Sequence, residues 1–381
     1  MTLSIERSPV RLGPDETQEQ LRTALRTFLS RRSDESAVRR LMETETGHDA
    51  ALWKQLAEEL GLIGIDVPEE LGGSGGSFRE LAVVLEELGR ASACLPYFST
   101  VVLAAGALLL GDDAAAREEH LPRIAAGTCL ATLAVTEDDG SWDVARTATS
   151  ARRDTDGSWR LDGTKSFVLD GLLADLLLVV ARSDEGLSLF AVEGHAPGLQ
   201  RTSMRTLDPT RKLAKLVLRD VPARLVGRDG AAEPLVQRVL DRAVVALAAE
   251  QLGGAQRTLE MAVDYAKIRL QFGRPIGSFQ AVKHRCADMA MKVDAGRSAV
   301  AWAVAAAADG SAELPVAAAM AGVVCSEAFV FTSAENVQVH GGIGFTWEHP
   351  AHLYFRRARS SSLLFGDPAH HRAQLLERLG V

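Results

Sequence analysis

The sequence has few cysteines and no cysteine spacing that would bind a metal. Its four cysteines, Cys94, Cys129, Cys286 and Cys325, lie far apart, and none forms a CxxC pair. This spacing excludes a zinc ribbon and a thioredoxin-type redox motif, and it is typical of a reducing compartment. We therefore expect four free structural thiols and no metal site.

The sequence also lacks an excess of positive charge and a long apolar run. The formal net charge of −8 argues against a nucleic-acid partner. The N-terminal stretch MTLSIERSPVRLGPDE has no basic region followed by an apolar core, so we expect no signal peptide. The longest apolar runs, such as Val101–Leu110, are shorter than the roughly 20 residues of a membrane helix. These absences predict a cytoplasmic protein that binds neither nucleic acid nor membrane.

Hydrophobic periodicity divides the chain into three parts. With 381 residues and 47% hydrophobic content, two or three domains are expected. Residues 1–130 predict an α-helical domain, 131–227 a middle antiparallel β-domain with Asp-Gly turns, and 228–381 an α-helical bundle. Because strands and helices are segregated, the fold class is α+β multidomain and not a doubly wound sheet.

The sequence RLQFGRP ends a long predicted helix in the C-terminal part. Gly273 and Pro275 forbid continuation, which places Arg269, Gln271 and Phe272 in the last helical turn. A guanidinium and an amide beside a helix break suit a phosphate diester. The alternative is a surface arginine favoured by the dipole at the helix C-terminus.

Several segments, in order along the chain, resemble the acyl-CoA dehydrogenase family. The resemblance lies in ELGLIGIDVPEELGGSG and EELGRA in the first part, AVTE and GTKSFV in the middle part, and RLQFG and QVHGG in the last. It implies FAD bound at a subunit interface, an acyl-CoA substrate oxidised to a 2-enoyl-CoA, and an electron-transfer flavoprotein as acceptor. It also implies a homotetramer or an α2β2 heterotetramer with a related subunit.

The resemblance assigns roles to residues of this chain. Gly341 and Gly342 have no Cβ, so backbone can approach a cofactor closely, and Thr136 can hydrogen-bond the edge of a flavin. The cofactor-binding residues implied are Thr136, Ser141, Phe167, Arg269, Gln271, Phe272, Gln338, Gly341 and Gly342.

The chain departs from the family at the catalytic base, which must be a carboxylate beside the flavin ring. The two positions where members carry it fall on Phe365 and Ala243, and neither side chain accepts a proton. Asp241 is the nearest carboxylate and the candidate base, although Arg238 could instead hold it in a structural ion pair. Glu250 is expected to be a buried packing or interface carboxylate.

A second departure lies in the flavin-facing loop, where the usual serine aligns with Trp142. A shift of one residue would restore Ser141, and the sequence leaves both registers open. Several motifs resemble a subgroup of actinobacterial steroid catabolism, in which one subunit type lacks the base. Three hypotheses follow. The first is an FAD-dependent acyl-CoA dehydrogenase subunit, either base-poor and acting with a partner, which we favour, or self-sufficient as a homotetramer that uses Asp241. The second is a flavin monooxygenase or oxidase on the same fold, and the third is a non-catalytic partner subunit.

Overall fold

The N-terminal part is helical, and its helices begin where the sequence offers capping side chains. The computed structural model describes residues 13–381. Asp15, Asp34, Asp49, Ser77 and Asp113 each accept a hydrogen bond from a backbone N–H in the first turn of a helix. The helices are α1 (Glu16–Arg32), α2 (Glu35–Met42), α3 (Ala50–Glu58), α4 (Phe78–Ala91), a π-helix (Phe98–Ala105) that continues as α5 (Gly106–Leu110), and α6 (Ala114–Ala125).

The middle part is one seven-stranded sheet. Its strands are β1 (Ala131–Ala134), β2 (Ser150–Arg153), β3 (Trp159–Leu169), β4 (Leu176–Ser183), β5 (Gly186–Glu193), β6 (Leu199–Met204) and β7 (Leu213–Val226). The order is β1-β4-β2-β3-β7-β5, with β6 beside β7, and the pairing of β4 with β5 closes a ring. Most pairings are antiparallel, as predicted, but β1 and β2 both pair with β4 in parallel.

The C-terminal part is the predicted helical bundle. It contains α7 (Ala232–Ile268), α8 (Gln280–Ala308), α9 (Leu314–His340), α10 (Ala351–Ser361) and α11 (Pro368–Leu379). One expectation is wrong, because α7 ends at Ile268 and Leu270–Gln271 pairs with Arg274–Pro275 as a small hairpin, β8–β9. Gln271 and Phe272 therefore lie in a hairpin beyond the helix. The helical, β-rich, helical order itself is confirmed.

Two glycines let α4 and α7 cross in close contact. A Cβ added at Gly253 would stand 1.8 Å from the carbonyl oxygen of Glu86, and one added at Gly89 would stand 2.0 Å from that of Glu250. No side chain fits at either position without moving a helix.

One helical segment is longer than the longest apolar runs of the sequence. Leu314–Phe345 is long and apolar enough to cross a membrane by length and composition, and half of its most apolar window is buried inside the protein. A core helix passes the same test, and α9 packs against α7, α8, α10 and α11. This segment is therefore weak evidence for a membrane span.

Candidate functional site

A small cavity lies where the sheet meets the helices, and we call it the ring cavity. It has a volume of about 10 Å³, which is close to the space of one water molecule. Its lining comes from the π-helix, β1 and the loop that follows it, β3, the N-terminal third of α7 and the segment after α10: Leu103, Leu133, Val135, Thr136, Trp142, Phe167, Val168, Leu169, Leu240 and Phe365.

Three aromatic side chains, which we call the aromatic stack, fill the space beside this cavity. The ring centroids of Phe365 and Trp142 are 4.8 Å apart, and those of Phe365 and Phe98 are 5.6 Å apart in a stacked arrangement. Phe365 is only 3% exposed, and its backbone is in the left-handed region with φ of 62°. Left-handed backbone is costly for a bulky residue, so the surrounding contacts must hold Phe365 in place.

A buried ion cluster stands behind the aromatic stack. The guanidinium of Arg211 lies 5.5 Å from the ring centroid of Phe98 and is paired with the Glu250 carboxylate. Arg357 Nε donates to Glu250 Oε1 at 3.1 Å, and Arg357 Nη1 donates to Thr210 Oγ1 at 2.8 Å. Burial would raise the pKa of Glu250, but the charges of Arg211 and Arg357 outweigh it and lower that pKa. Glu250 is thus a carboxylate paired within its own chain.

Hydrogen bonds from β3 fix the segment that follows β1. Lys165 is fully buried, and its Nζ donates to Val135 O and to Glu137 Oε1, both at 2.9 Å. Thr136 Oγ1 donates to Ser166 O at 2.5 Å. Burial lowers the pKa of Lys165 to about 8, because desolvation disfavours its charged form more than Glu137 favours it. These contacts hold Thr136 at the edge of the ring cavity.

The Glu137 carboxylate is expected to stabilise the fold in a defined pH window. Burial would raise its pKa, but hydrogen bonds from Thr149 and Lys165 lower it from 4.5 to about 2. A carboxyl whose pKa is depressed in the folded state stabilises that state above its unfolded pKa and loses the contribution as pH falls. The stability difference between wild type and Glu137→Gln should therefore be largest above pH 4.5 and shrink towards pH 2. Urea unfolding at a series of pH values measures it, and a difference independent of pH would contradict the assignment.

Three of the predicted cofactor-binding residues, Thr136, Ser141 and Phe167, belong to the middle part, and two of them line the ring cavity. Thr136 and Phe167 are in the lining. Ser141 is outside it, since its Oγ accepts from the N–H of Asp143 in a local turn, and Trp142 faces the cavity instead. At this loop it is therefore Trp142, and not Ser141, that lines the ring cavity.

Asp241 is also outside the cavity lining. Its Oδ1 accepts a hydrogen bond from Arg378 Nη2 of α11 at 2.7 Å. Asp241 is therefore in an ion pair, and its partner is Arg378 in place of the expected Arg238. Burial raises the pKa of Asp241 despite the charge of Arg378. The neighbouring Leu240 lines the cavity, and Asp241 points from α7 towards α11. This geometry does not support Asp241 as the base.

Replacement of Asp241 tests whether its carboxylate is the catalytic base. We expect Asp241→Asn to change the dehydrogenation rate of the assembled enzyme by less than about twofold, whereas loss of a general base costs on the order of 100-fold or more. Steady-state rates with an artificial electron acceptor measure the effect. A loss of that size in a folded variant would restore Asp241 as the base.

The other predicted cofactor residues form an exposed group, which we call the ADP clamp: Arg269, Gln271, Phe272, Gln338, Gly341 and Gly342. Phe272 is 91% exposed at the tip of the β8–β9 hairpin. Stacking of Tyr265 on His340, with ring centroids 4.3 Å apart, brings the end of α7 against the end of α9. A Cβ added at Gly341 or Gly342 would meet no atom within 4 Å, so the surface there is open.

The FAD that the resemblance implies fits the ADP clamp but not the ring cavity. The clamp offers an exposed guanidinium, two exposed amides and open glycine backbone, which suit a pyrophosphate and adenine approaching from outside. Ligand sites span some hundreds of Å³, far more than the 10 Å³ left in the ring cavity. Among residues 13–381, no group of three or more His, Cys, Asp or Glu could hold a metal ion.

Comparisons with known proteins agree with the order of the three parts. Family models for the N-terminal, middle and C-terminal domains of acyl-CoA dehydrogenases match residues 15–128, 132–221 and 234–380. The chain is 36% identical over 359 residues to acyl-CoA dehydrogenase IpdE2 of Mycobacterium tuberculosis, covering 94% of this chain and 95% of that protein.

Solved structures are similar over almost the whole chain. A variant of the Tcur3481-Tcur3483 steroid ACAD is 34% identical with a TM-score of 0.87, covering 97% of this chain and 99% of that chain. The ChsE4-ChsE5 complex from Mycobacterium tuberculosis is 30% identical with a TM-score of 0.89 and the same coverage. The chain therefore belongs to the acyl-CoA dehydrogenase family, whose members are FAD-dependent oxidoreductases acting on the CH–CH group of acyl-CoA thioesters.

Proposed function

We propose that this chain is the base-poor subunit of a heteromeric acyl-CoA dehydrogenase, and that it supplies the ADP clamp for an FAD whose ring lies in the partner. The observation that carries the proposal is the contrast between two sites. Phe365, at the position expected for the base, is buried in the aromatic stack. The clamp residues are exposed, and the Arg269 side chain makes no hydrogen bond within residues 13–381.

In this proposal the residues of the chain act on the cofactor from outside the reacting centre. FAD supplies the hydride acceptor when bound. Arg269 neutralises the pyrophosphate, Gln271 and Gln338 hydrogen-bond the ADP half, and Phe272 covers an apolar edge. The partner's carboxylate removes the α-proton from the acyl-CoA. The residues of this chain thus bind and orient, and the partner carries out the proton transfer.

The names of the relatives support a substrate class and an assembly. Two similar structures are a steroid ACAD named for two components and a complex of two chains. We therefore propose an α2β2 heterotetramer with a related subunit, a bulky steroid-derived acyl-CoA as substrate and an electron-transfer flavoprotein as acceptor. We further propose a cytoplasmic location and domain limits of 1–130, 131–227 and 228–381.

Purification with and without a partner tests the proposal. The chain is expressed alone and together with a related family member encoded beside it, and 2-enoyl-CoA formation is measured with a dye as electron acceptor. We expect no turnover by the chain alone and turnover by the complex. Full turnover by the chain alone would refute the base-poor assignment. Rapid reaction of the reduced flavin with oxygen would instead favour a monooxygenase or oxidase.

A further inference from the structure

Two small voids lie on either side of the Phe98–Phe365 pair. The ring cavity of about 10 Å³ and a second void of about 20 Å³ share Leu169 in their lining. The second void is lined by Phe98, Arg211 and Glu250 among others. Phe98 and Phe365 stack between the two voids. Side chains of this chain therefore occupy the space that continues from the sheet to the crossing of α4 with α7.

Trp142 is the most exposed member of the aromatic stack. Phe98 belongs to the buried π-helix and Phe365 is 3% exposed, whereas Trp142 is partly exposed and packs on the core from a surface segment. The Trp142 indole N–H makes no hydrogen bond within residues 13–381. Within this part of the chain, the contacts of Trp142 are therefore packing contacts with the core and with the Phe365 ring.

The loop that carries Trp142 is held by other groups. Asp139 Oδ1 accepts from Ser141 N at 3.0 Å, and Asp143 Oδ1 accepts from Ala145 N at 3.0 Å. Arg146 forms an ion pair with Asp139 at 2.7 Å. None of these bonds involves the indole, so the backbone should keep its course when the indole is removed.

We infer that Trp142 closes this chain's own ring cavity, by placing a planar indole where an isoalloxazine ring would otherwise lie against Thr136 and Phe167. The inference rests on the proposed function for the identity of the excluded ligand. It makes Trp142 the residue that restricts flavin rings to the partner's site. The walls that remain after its removal are mainly apolar, with the Thr136 hydroxyl as a polar group, and this is the usual composition of a small-molecule site.

Lumiflavin is the probe for the test, because it is a flavin ring with no ADP half and so does not need the clamp. The full-length chain, purified alone, is titrated and quenching of lumiflavin fluorescence is measured. We expect Trp142→Ser to bind lumiflavin at least about tenfold more tightly than wild type, which corresponds to about 1.4 kcal/mol. The matched control is Trp302→Ser, since Trp302 is also partly buried but lies on α8, where its Nε1 donates to Glu313 Oε2 at 3.2 Å.

Each outcome of the titration decides the inference. Equal affinities of wild type and folded Trp142→Ser would overturn it, as would an equal gain in Trp302→Ser, which would indicate general loosening. Tight lumiflavin binding by wild type would also overturn it. If Trp142→Ser is insoluble, Trp142→Leu retains an apolar side chain without the ring and gives the same comparison. Because the titration uses no partner and no turnover, its failure is distinguishable from failure of the proposed function, which rests on activity of the complex.

Discussion

Replacement of Glu250 by alanine is expected to destabilise the folded protein by about 3–5 kcal/mol, the cost of removing one member of a buried ion pair. Glu250 is the carboxylate that Arg211 and Arg357 share, and all three side chains are buried. Without it two guanidinium groups stay in the interior, and Arg357 keeps Asp208 at 3.6 Å and Thr210 as its partners among residues 13–381. The unfolding midpoint in urea, followed by tryptophan fluorescence, measures the loss.

Glu260→Ala is the matched control for this substitution. Glu260 lies on the same helix and binds Arg90 through both carboxylate oxygens, but its side chain is 30% exposed. An ion pair near solvent contributes on the order of 1 kcal/mol or less. Equal losses in the two variants would contradict the idea that burial sets the energy of the Glu250 cluster.

The second large effect is expected on the cofactor affinity of the assembled enzyme. Arg269→Ala should weaken FAD binding by about 10- to 100-fold, because a hydrogen bond to a charged group contributes about 1.5–3 kcal/mol. The Arg269 side chain is exposed, so its removal should leave the unfolding midpoint unchanged. Equilibrium dialysis of FAD against the complex measures the affinity.

Arg274→Ala is the control for charge on the same hairpin. Arg274 is exposed as well, but its guanidinium lies 4.1 Å from the centroid of the Phe279 ring and is engaged within its own chain. We expect its replacement to change FAD affinity much less than Arg269→Ala. Equal losses would indicate a general effect of positive charge at this surface and would contradict a specific contact from Arg269.

The sequence predicted the features that depend on local pattern. Hydrophobic period separated the sheet from the helices, and Gly273 and Pro275 marked the end of α7 to within a few residues. The family resemblance placed Phe365 at the position of the missing base, which stays a prediction, and the structure puts the Phe365 ring at the ring cavity. The order of the helical and β-rich parts and the end of α7 could be predicted because each depends on residues near one another in the chain.

The features that the sequence did not predict depend on distant partners. Asp241 pairs with Arg378, 137 residues away, so inspection of its own helix suggested Arg238 instead. The local sequence around Phe98 does not indicate that Phe98 stacks on Phe365 or that Arg211 lies over the Phe98 ring. Lys165 gave a weak signal, since a lysine in a strand between buried residues needs a buried partner, but Glu137 could not be chosen as that partner from spacing alone.

The crossing of α4 with α7 has a mechanical consequence. The 37 residues of α7 form a helix about 55 Å long, and Gly253 is the point where this helix comes closest to α4. Along the helix axis, Leu240 at the ring cavity lies about 20 Å from Gly253 on its N-terminal side. Ile268, beside the ADP clamp, lies about 22 Å from Gly253 on its C-terminal side. A tilt of about 5° would move both ends by about 2 Å in opposite directions. A side chain at Gly253 would push α7 away from α4. It would therefore displace the ADP clamp and the ring cavity together, although it contacts neither.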